Sequence, residues 1–432
     1  MNKNLYLGVA TEKITPEIGG QLFGYAPDVF SIGLSDDLTV TAFYFNQGDV
    51  KALMLSTTVC LIQTELSDEV RAKIEAECGI SAKNIIFSAT HTHSGPNVCG
   101  MVGWGDIDRP YCDNIFIPSI LRAVKAAMEN PVAVDMAVTY GDSLVGVNRR
   151  QITVKNTIGF GQSPWSPFNP VMTVISFRNV ETKALVANMV HYGAHATCAG
   201  RDPWISRDWP GTMVDILAEE SGAVTAFFNG PEGDVGPRLA NGRTTGNGFK
   251  AAHIHGAYAG QDAVRIFRQN KAFHAADLSA SSAIINLPLA GRMPLETAKA
   301  ELEKVKDKTV NQEGQYADYL RKTIKSYEDG EEELPTRPVE QTIIKIGDVA
   351  FVSFPFELFS EVGMRIARAS KVPFVLSLAC TNGSKGYFVT EDQICRGGYE
   401  VKMFKTDKVQ GYADNADWHY VTQTLDHLKQ YE

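Results

Sequence analysis

Apolar residues come in short runs set between polar turns and amphipathic stretches, and one order of elements occurs three times. The first instance has a turn at Gln47-Gly48-Asp49, an apolar run over 50–57 and a helical pattern over 65–77. A second apolar run, Asn84-Ile85-Ile86-Phe87-Ser88, follows. The second instance has a turn at Val180-Glu181-Thr182, a run over 184–190, a helix starting near Pro210 and a run over 223–228. The third has a turn at Gly347-Asp348, a run over 349–354, a helix reaching Ala369 and a run over 374–379. Apolar runs of this length, bounded by turn residues, predict buried strands. The alternation predicts an α/β protein of mixed β-sheets with flanking helices. Three hairpin–helix–strand units would surround a central site, where loops gather at one end of the sheets. The spacing is too irregular for a solenoid.

Each unit ends in a polar loop that carries reactive side chains. The first reads Thr90-His91-Thr92-His93-Ser94-Gly95-Pro96, two imidazoles at i and i+2 behind a strand. Neutral imidazole is the commonest metal-binding side chain, so the pair is either a set of ligands or a hydrogen-bonded pair in a polar turn. The second unit supplies His191-Tyr192-Gly193-Ala194-His195 and the loop Asn229-Gly230-Pro231-Glu232-Gly233-Asp234. In the third, Glu357 is a lone carboxylate within Phe354-Pro355-Phe356-Glu357-Leu358-Phe359. If buried it has to be paired or metal-bound; otherwise it is an exposed acid in the first turn of a helix. Arg149 and Arg150 follow Gly146-Val147-Asn148. An arginine beside a metal binds a substrate carboxylate or stabilises an oxyanion, whereas surface arginines are solvated. Asp234 suits the fixing of its turn's backbone. His253 and His255 lie in a helical stretch, where i and i+2 face different sides, so they do not suggest a shared ion.

Composition narrows the class. With 44% hydrophobic and 21% charged residues among 432, the composition is ordinary for a soluble globular protein, and the length allows two or three domains or one large α/β enzyme with insertions. A net charge of −9 without a basic face argues against a nucleic-acid partner. No apolar run approaches the length of a membrane span. The N-terminus is too short in apolar residues for a signal peptide, and the seven scattered cysteines form no Cys-x-x-Cys. They suggest reduced, mostly buried thiols, so a cytoplasmic location is expected. Residues 151–170, with Pro164, Trp165, Pro167, Phe168 and Pro170, suggest a long ordered loop walling a pocket. Residues 294–334 suggest a solvent-exposed helical insertion.

The Thr-His-Thr-His-Ser-Gly-Pro loop, the His-Ala-Thr at His195, residues 229–237, Pro355-Phe356-Glu357 and Gly386-Tyr387 together resemble the neutral, non-lysosomal ceramidase family. They fall in that family's order and cover the chain to about Tyr399. The resemblance implies a single catalytic domain over residues 1–432. It also implies a zinc amidase chemistry directed at N-acyl bonds, with Zn2+ held by His91, His195, Glu357 and Tyr387. It places His93 and Arg149 at the substrate carbonyl, with Tyr399 and Gly24 nearby. Two departures stand out. The family's Gly-Asp-Val-Ser-Pro is here Gly233-Asp234-Val235-Gly236-Pro237, so Gly236 meets the substrate without the serine hydroxyl. The sequence runs on only a short way past the tyrosine motif, so the family's C-terminal immunoglobulin-like domain is not expected. The expected activity is zinc-dependent hydrolysis of a carbonyl bond in a small or lipid-like molecule, an N-acyl amide first. An ester or lactone, or zinc binding without catalysis, are the alternatives.

Overall fold

The computed structural model describes residues 4–269, 272–406 and 408–432. Twelve strands form its two main sheets. The first unit holds β1 (Leu5–Lys13), β2 (Thr39–Gln47), β3 (Val50–Thr57) and β4 (Ile85–Ala89). The second holds β5 (Val132–Asp142), β6 (Val171–Asn179), β7 (Leu185–Tyr192) and β8 (Val224–Asn229). The third holds β9 (Leu278–Pro288), β10 (Thr336–Ile346), β11 (Val349–Ser353) and β12 (Phe374–Leu378). The eight-stranded sheet runs β8-β7-β6-β5-β1-β2-β3-β4, and the four-stranded sheet runs β9-β10-β11-β12.

The threefold pattern is therefore real, with one antiparallel strand added at the front of each unit. In every unit the last two strands are parallel: Leu53 faces Ile85, Ala187 faces Val224, and Val349 faces Phe374. A parallel pair needs a crossover. Helices Thr64–Cys78, Asp208–Ser221 and Ser360–Ala369 supply it. The first two stop at Gly79 and Gly222, both left-handed, whose amides close on Glu75 O and Ala218 O. Units one and two share a sheet because β1 pairs with β5, Leu5 facing Val134.

Alternation of side chains explains why the strands look apolar throughout. In β2, Phe43 and Phe45 enter a central cluster, whereas Val40, Ala42 and Tyr44 pack into a second cluster beneath helices. The central cluster draws Met54 from unit one, Phe177 and Met189 from unit two, and Ile344, Phe351 and Leu376 from unit three. Each such side chain, fully buried, contributes about 1.5–3 kcal/mol.

The parallel strands all end on one side, and backbone bonds tie their ends into a ring. Ala89 N donates to Cys380 O (3.1 Å), and Ala379 N donates to Asn229 O (3.1 Å). Asn229 Nδ2 closes the circuit on Thr90 O (3.4 Å).

Two expectations need correcting. Residues 151–170 are not simply a loop: Arg150–Ile152 and Ile158–Phe160 form a small antiparallel hairpin. The insertion over 294–334 is not only a wet surface. Helices Leu295–Val305 and Asn311–Glu328 bury their own small core of Ala298, Tyr319 and Leu320, and Asn311 and Gln312 reach an internal cavity. Among the described residues, no helix is long and apolar enough to cross a membrane.

Candidate metal centre and cavity

Three loops aim four side chains at one point. His91 sits two residues beyond β4 at φ 68°, a left-handed conformation unusual for a side chain larger than glycine. Its amide bonds Val59 O (2.9 Å), and its Nδ1 lies 3.0 Å from Cys60 O. His195 Nδ1 faces Glu232 O (2.8 Å) and Val235 O (3.1 Å). The His195 loop is held from below by Trp209 Nε1, which donates to His195 O (3.0 Å). The Asp208 carboxylate also accepts from Cys198 N and Ala199 N. Glu357 and Tyr387 stand side by side, because Glu357–Leu358 pairs in parallel with Tyr387–Phe388. The helix begins only at Ser360, so Glu357 is no helix-end acid.

The donor chemistry suits a cation. A neutral imidazole has one N–H. Both rings turn Nδ1 to a carbonyl, which places the proton there and leaves Nε2 as a lone pair. Those lone pairs converge on Glu357 Oε2, at 3.5 Å from His91 and 3.2 Å from His195. The Tyr387 hydroxyl is 3.5 Å from His195 Nε2. Ligands 2.0–2.1 Å from a tetrahedral ion stand about 3.3–3.4 Å apart, the same spacing. In the absence of an ion, a proton has to separate these groups. Burial opposes charge on His91, yet Cys60, Cys380 and Glu357 raise its pKa well above the usual value. Burial takes His195 the other way, to about 3. Burial also disfavours the Glu357 carboxylate, but the facing imidazoles hold its pKa well below the ordinary range.

A consequence is measurable. Because the raised pKa keeps a proton on His91, zinc uptake by the metal-free protein should release at least one proton, and a second where Tyr387 binds as phenolate. Calorimetry in buffers of differing ionisation enthalpy reads this directly. Uptake with no proton released would place His91 outside the ligand set.

Arg149 is not solvated but buried, and so is Arg150. Both share one buried acid: Arg149 Nε donates to Glu400 Oε1 (3.1 Å), and Arg150 Nη1 donates to Glu400 Oε2 (2.6 Å). Arg149 Nη2 reaches the Tyr387 hydroxyl at 3.0 Å. His93 Nε2 lies 3.2 Å from His91 Nε2. Gly24 makes room for it, since a Cβ there would fall 2.5 Å from His93 Nδ1. Tyr399 packs its ring 5.6 Å from Tyr387 and lines the cavity. Gly236 does not face the cavity as expected. It lies behind Thr244, whose Cβ is 2.7 Å from where a Cβ on Gly236 would stand. Asp234 fixes local backbone, accepting Ser360 N (2.8 Å) and Asn148 Nδ2 (3.0 Å). The His253/His255 pair is no metal site: His255 bonds Val145 O (2.8 Å), while His253 bonds Ser35 and Thr212.

The donors open on a cavity of about 440 Å³. Phe23, Tyr25, Trp104, Phe160 and Met403 line much of it.

No protein-family model matches the sequence, and no curated protein matches it. Solved structures do. Neutral ceramidase from Pseudomonas aeruginosa superposes with a TM-score of 0.74 at 17% identity, over 99% of this chain and 74% of that one. A ceramidase complexed with C2 gives 0.73 at 16% identity, over 98% and 75%. The chain has the neutral ceramidase fold.

Within this ceramidase fold, His91, His195, Glu357, Tyr387, His93, Arg149, Tyr399 and Gly24 all meet at one centre, and Gly236 alone stands back. Sequence reasoning missed Glu400, which nothing in its local pattern sets apart. It also missed Glu232, fully buried behind His91 and accepting from Cys380 Sγ at 3.0 Å. Burial raises the Glu232 pKa to about 8. Its place in the Gly-Pro-Glu-Gly-Asp turn was the available signal. The seven cysteines are free, five of them buried.

Proposed function

We propose that this protein is a zinc-dependent hydrolase of N-acyl amides, with the ion held by His91, His195, Glu357 and Tyr387. The convergence of two imidazole lone pairs, a carboxylate and a phenol at tetrahedral spacing, open to a cavity, carries the proposal. Nitrogen and oxygen donors of this kind suit zinc. When bound, the ion polarises a carbonyl and lowers the pKa of water toward ~7. The likeness of fold to ceramidases supports the choice of bond. The whole chain acts as one catalytic unit in this proposal, because units one and two each supply an imidazole and unit three supplies the other donors. The free cysteines support a reducing compartment such as the cytoplasm.

The chain's own groups divide the remaining work. Arg149 presents a fixed, buried guanidinium, aligned by Glu400, to the oxyanion that develops at the carbonyl. His93 is kept neutral, because burial and the neighbouring His91 and His195 push its pKa well below the usual value. A neutral imidazole takes a proton from the attacking water and returns it to the departing nitrogen. Amines leave only when protonated, so a retained His93 favours the amide over the ester. Tyr399 and Tyr387 form an aromatic wall that keeps bulk water from this exchange.

A matched panel tests the proposal. Zinc-loaded protein should hydrolyse N-acyl amides, lose the activity on chelation and regain it with zinc. Turnover of esters and lactones but no amide would make the protein an esterase. Stoichiometric zinc with no turnover at all would make the centre non-catalytic.

A further inference from the structure

The cavity has two unlike walls. One is apolar and aromatic, with Phe23, Leu61, Met101 and Trp104. The other is polar and is built from two loops, 197–202 and 244–249, laced together by their backbones. Gly246 N donates to Thr197 O (3.1 Å) and Gly248 N to Ala199 O (2.8 Å). Phe249 N donates to Asp202 Oδ2 (2.8 Å), and the Thr197 hydroxyl donates to Thr244 O (2.9 Å). Only glycine permits this approach: a Cβ on Gly246 would fall 1.9 Å from Cys198 O, and one on Gly200 would fall 2.2 Å from Gly246 O.

The laced wall turns Thr244, Thr245 and Arg201 to the cavity. Thr244 is a buried residue on the cavity lining, and its backbone carbonyl, not its hydroxyl, takes the bond from Thr197. A hydroxyl at a cavity surface can both donate to and accept from a ligand. The absent side chain at Gly236 is what lets Thr244 stand there, 2.7 Å from the place a Cβ would take. Among the described residues Arg201 makes one ion pair, exposed, with Asp28 at 3.1 Å, which a better-placed carboxylate can displace.

We propose that this wall is a subsite for an oxygen-rich, carboxylated arm of the substrate. The amide cleaved is then of the N-acyl amino acid class, with a short apolar arm against the aromatic wall. A cavity of about 440 Å³ is within the range that takes small-molecule ligands. Hydrolysis breaks the C–N bond, adds the water oxygen to the acyl carbon and leaves the proton on the amine. The inference rests on the hydrolase reading of the same centre.

Two substrates of equal size separate the possibilities, N-hexanoyl-serine and N-hexylhexanamide. The zinc-loaded protein should favour the serine conjugate in kcat/KM by about tenfold or more. Arg201→Ala and Thr244→Val should each shrink that ratio by roughly threefold or more, and Thr244→Ser should keep it. Gly236→Ser should crowd the Thr244 Cβ and lower Tm, and Gly236→Ser with Thr244→Gly, which removes that Cβ, should recover part of the loss. Equal or better turnover of the hexyl amide, or a proportional fall on both substrates in the variants, overturns the subsite. If the loaded protein cleaves neither, the hydrolase reading fails, and calorimetric binding decides the subsite alone. Tighter binding of N-hexanoyl-serine, weakened in both variants, upholds it; no difference between the two ligands overturns it.

Discussion

His195→Ala is expected to abolish stoichiometric zinc and to lower kcat/KM by about a thousandfold or more, a loss of ~4 kcal/mol in transition-state stabilisation. The ring supplies one of the four converging donors, and its Nε2 is 3.2 Å from Glu357. The fold should survive. The loop keeps its backbone bond from residue 195 N to Val235 O (3.0 Å), and Trp209 still donates to the carbonyl of residue 195. His255→Ala is the matched control, another mostly buried histidine, bonded to Val145 O. Metal analysis beside circular dichroism reads the result. Full zinc in His195→Ala, or equal loss in His255→Ala, would remove His195 from the ligand set.

Glu400→Ala should be the most destabilising single change at the centre. Glu400 is 1% exposed, and both arginines that depend on it are at most 6% exposed. Removing the acid leaves two buried guanidinium groups without their shared partner. Breaking one buried pair of this kind costs about 3–5 kcal/mol. Arg150 keeps Gly397 O (2.6 Å) and Gln393 Oε1 (3.2 Å), whereas Arg149 keeps the Tyr387 hydroxyl and the face of Phe160. The urea midpoint should fall accordingly, with activity falling further as Arg149 loses its alignment. A loss of stability below about 1 kcal/mol would mean that solvent reaches the pair and that the acid does not hold Arg149.

What the chain discloses by itself follows from how local each signal is. The hairpin–helix–strand order was legible because every unit has a polar turn, an apolar run and a glycine- or proline-marked exit. The leading strands were not. β9 reads Leu-Ser-Ala-Ser-Ser-Ala-Ile-Ile-Asn-Leu-Pro, and its serines give no apolar alternation. It is a strand because β10 pairs along its whole length, from Leu278–Ile346 to Pro288–Thr336. Of the candidate ligands, His91 and His195 could be named because they follow strand ends, and Glu357 because it is a lone carboxylate in an apolar run. Tyr387 could be named only because the set resembles a known order. Glu400 could not, since its meaning lies 250 residues away at Arg150. Gly236 misled for the same reason. A missing side chain is visible in sequence, but the neighbour that takes its space, Thr244, is visible only in three dimensions.

The ring of bonds joining Ala89, Cys380, Asn229 and Thr90 means that no third of the polypeptide owns the reactive centre. Competence therefore emerges last, when the final segment docks. A half-made chain lacks the full donor set by geometry alone.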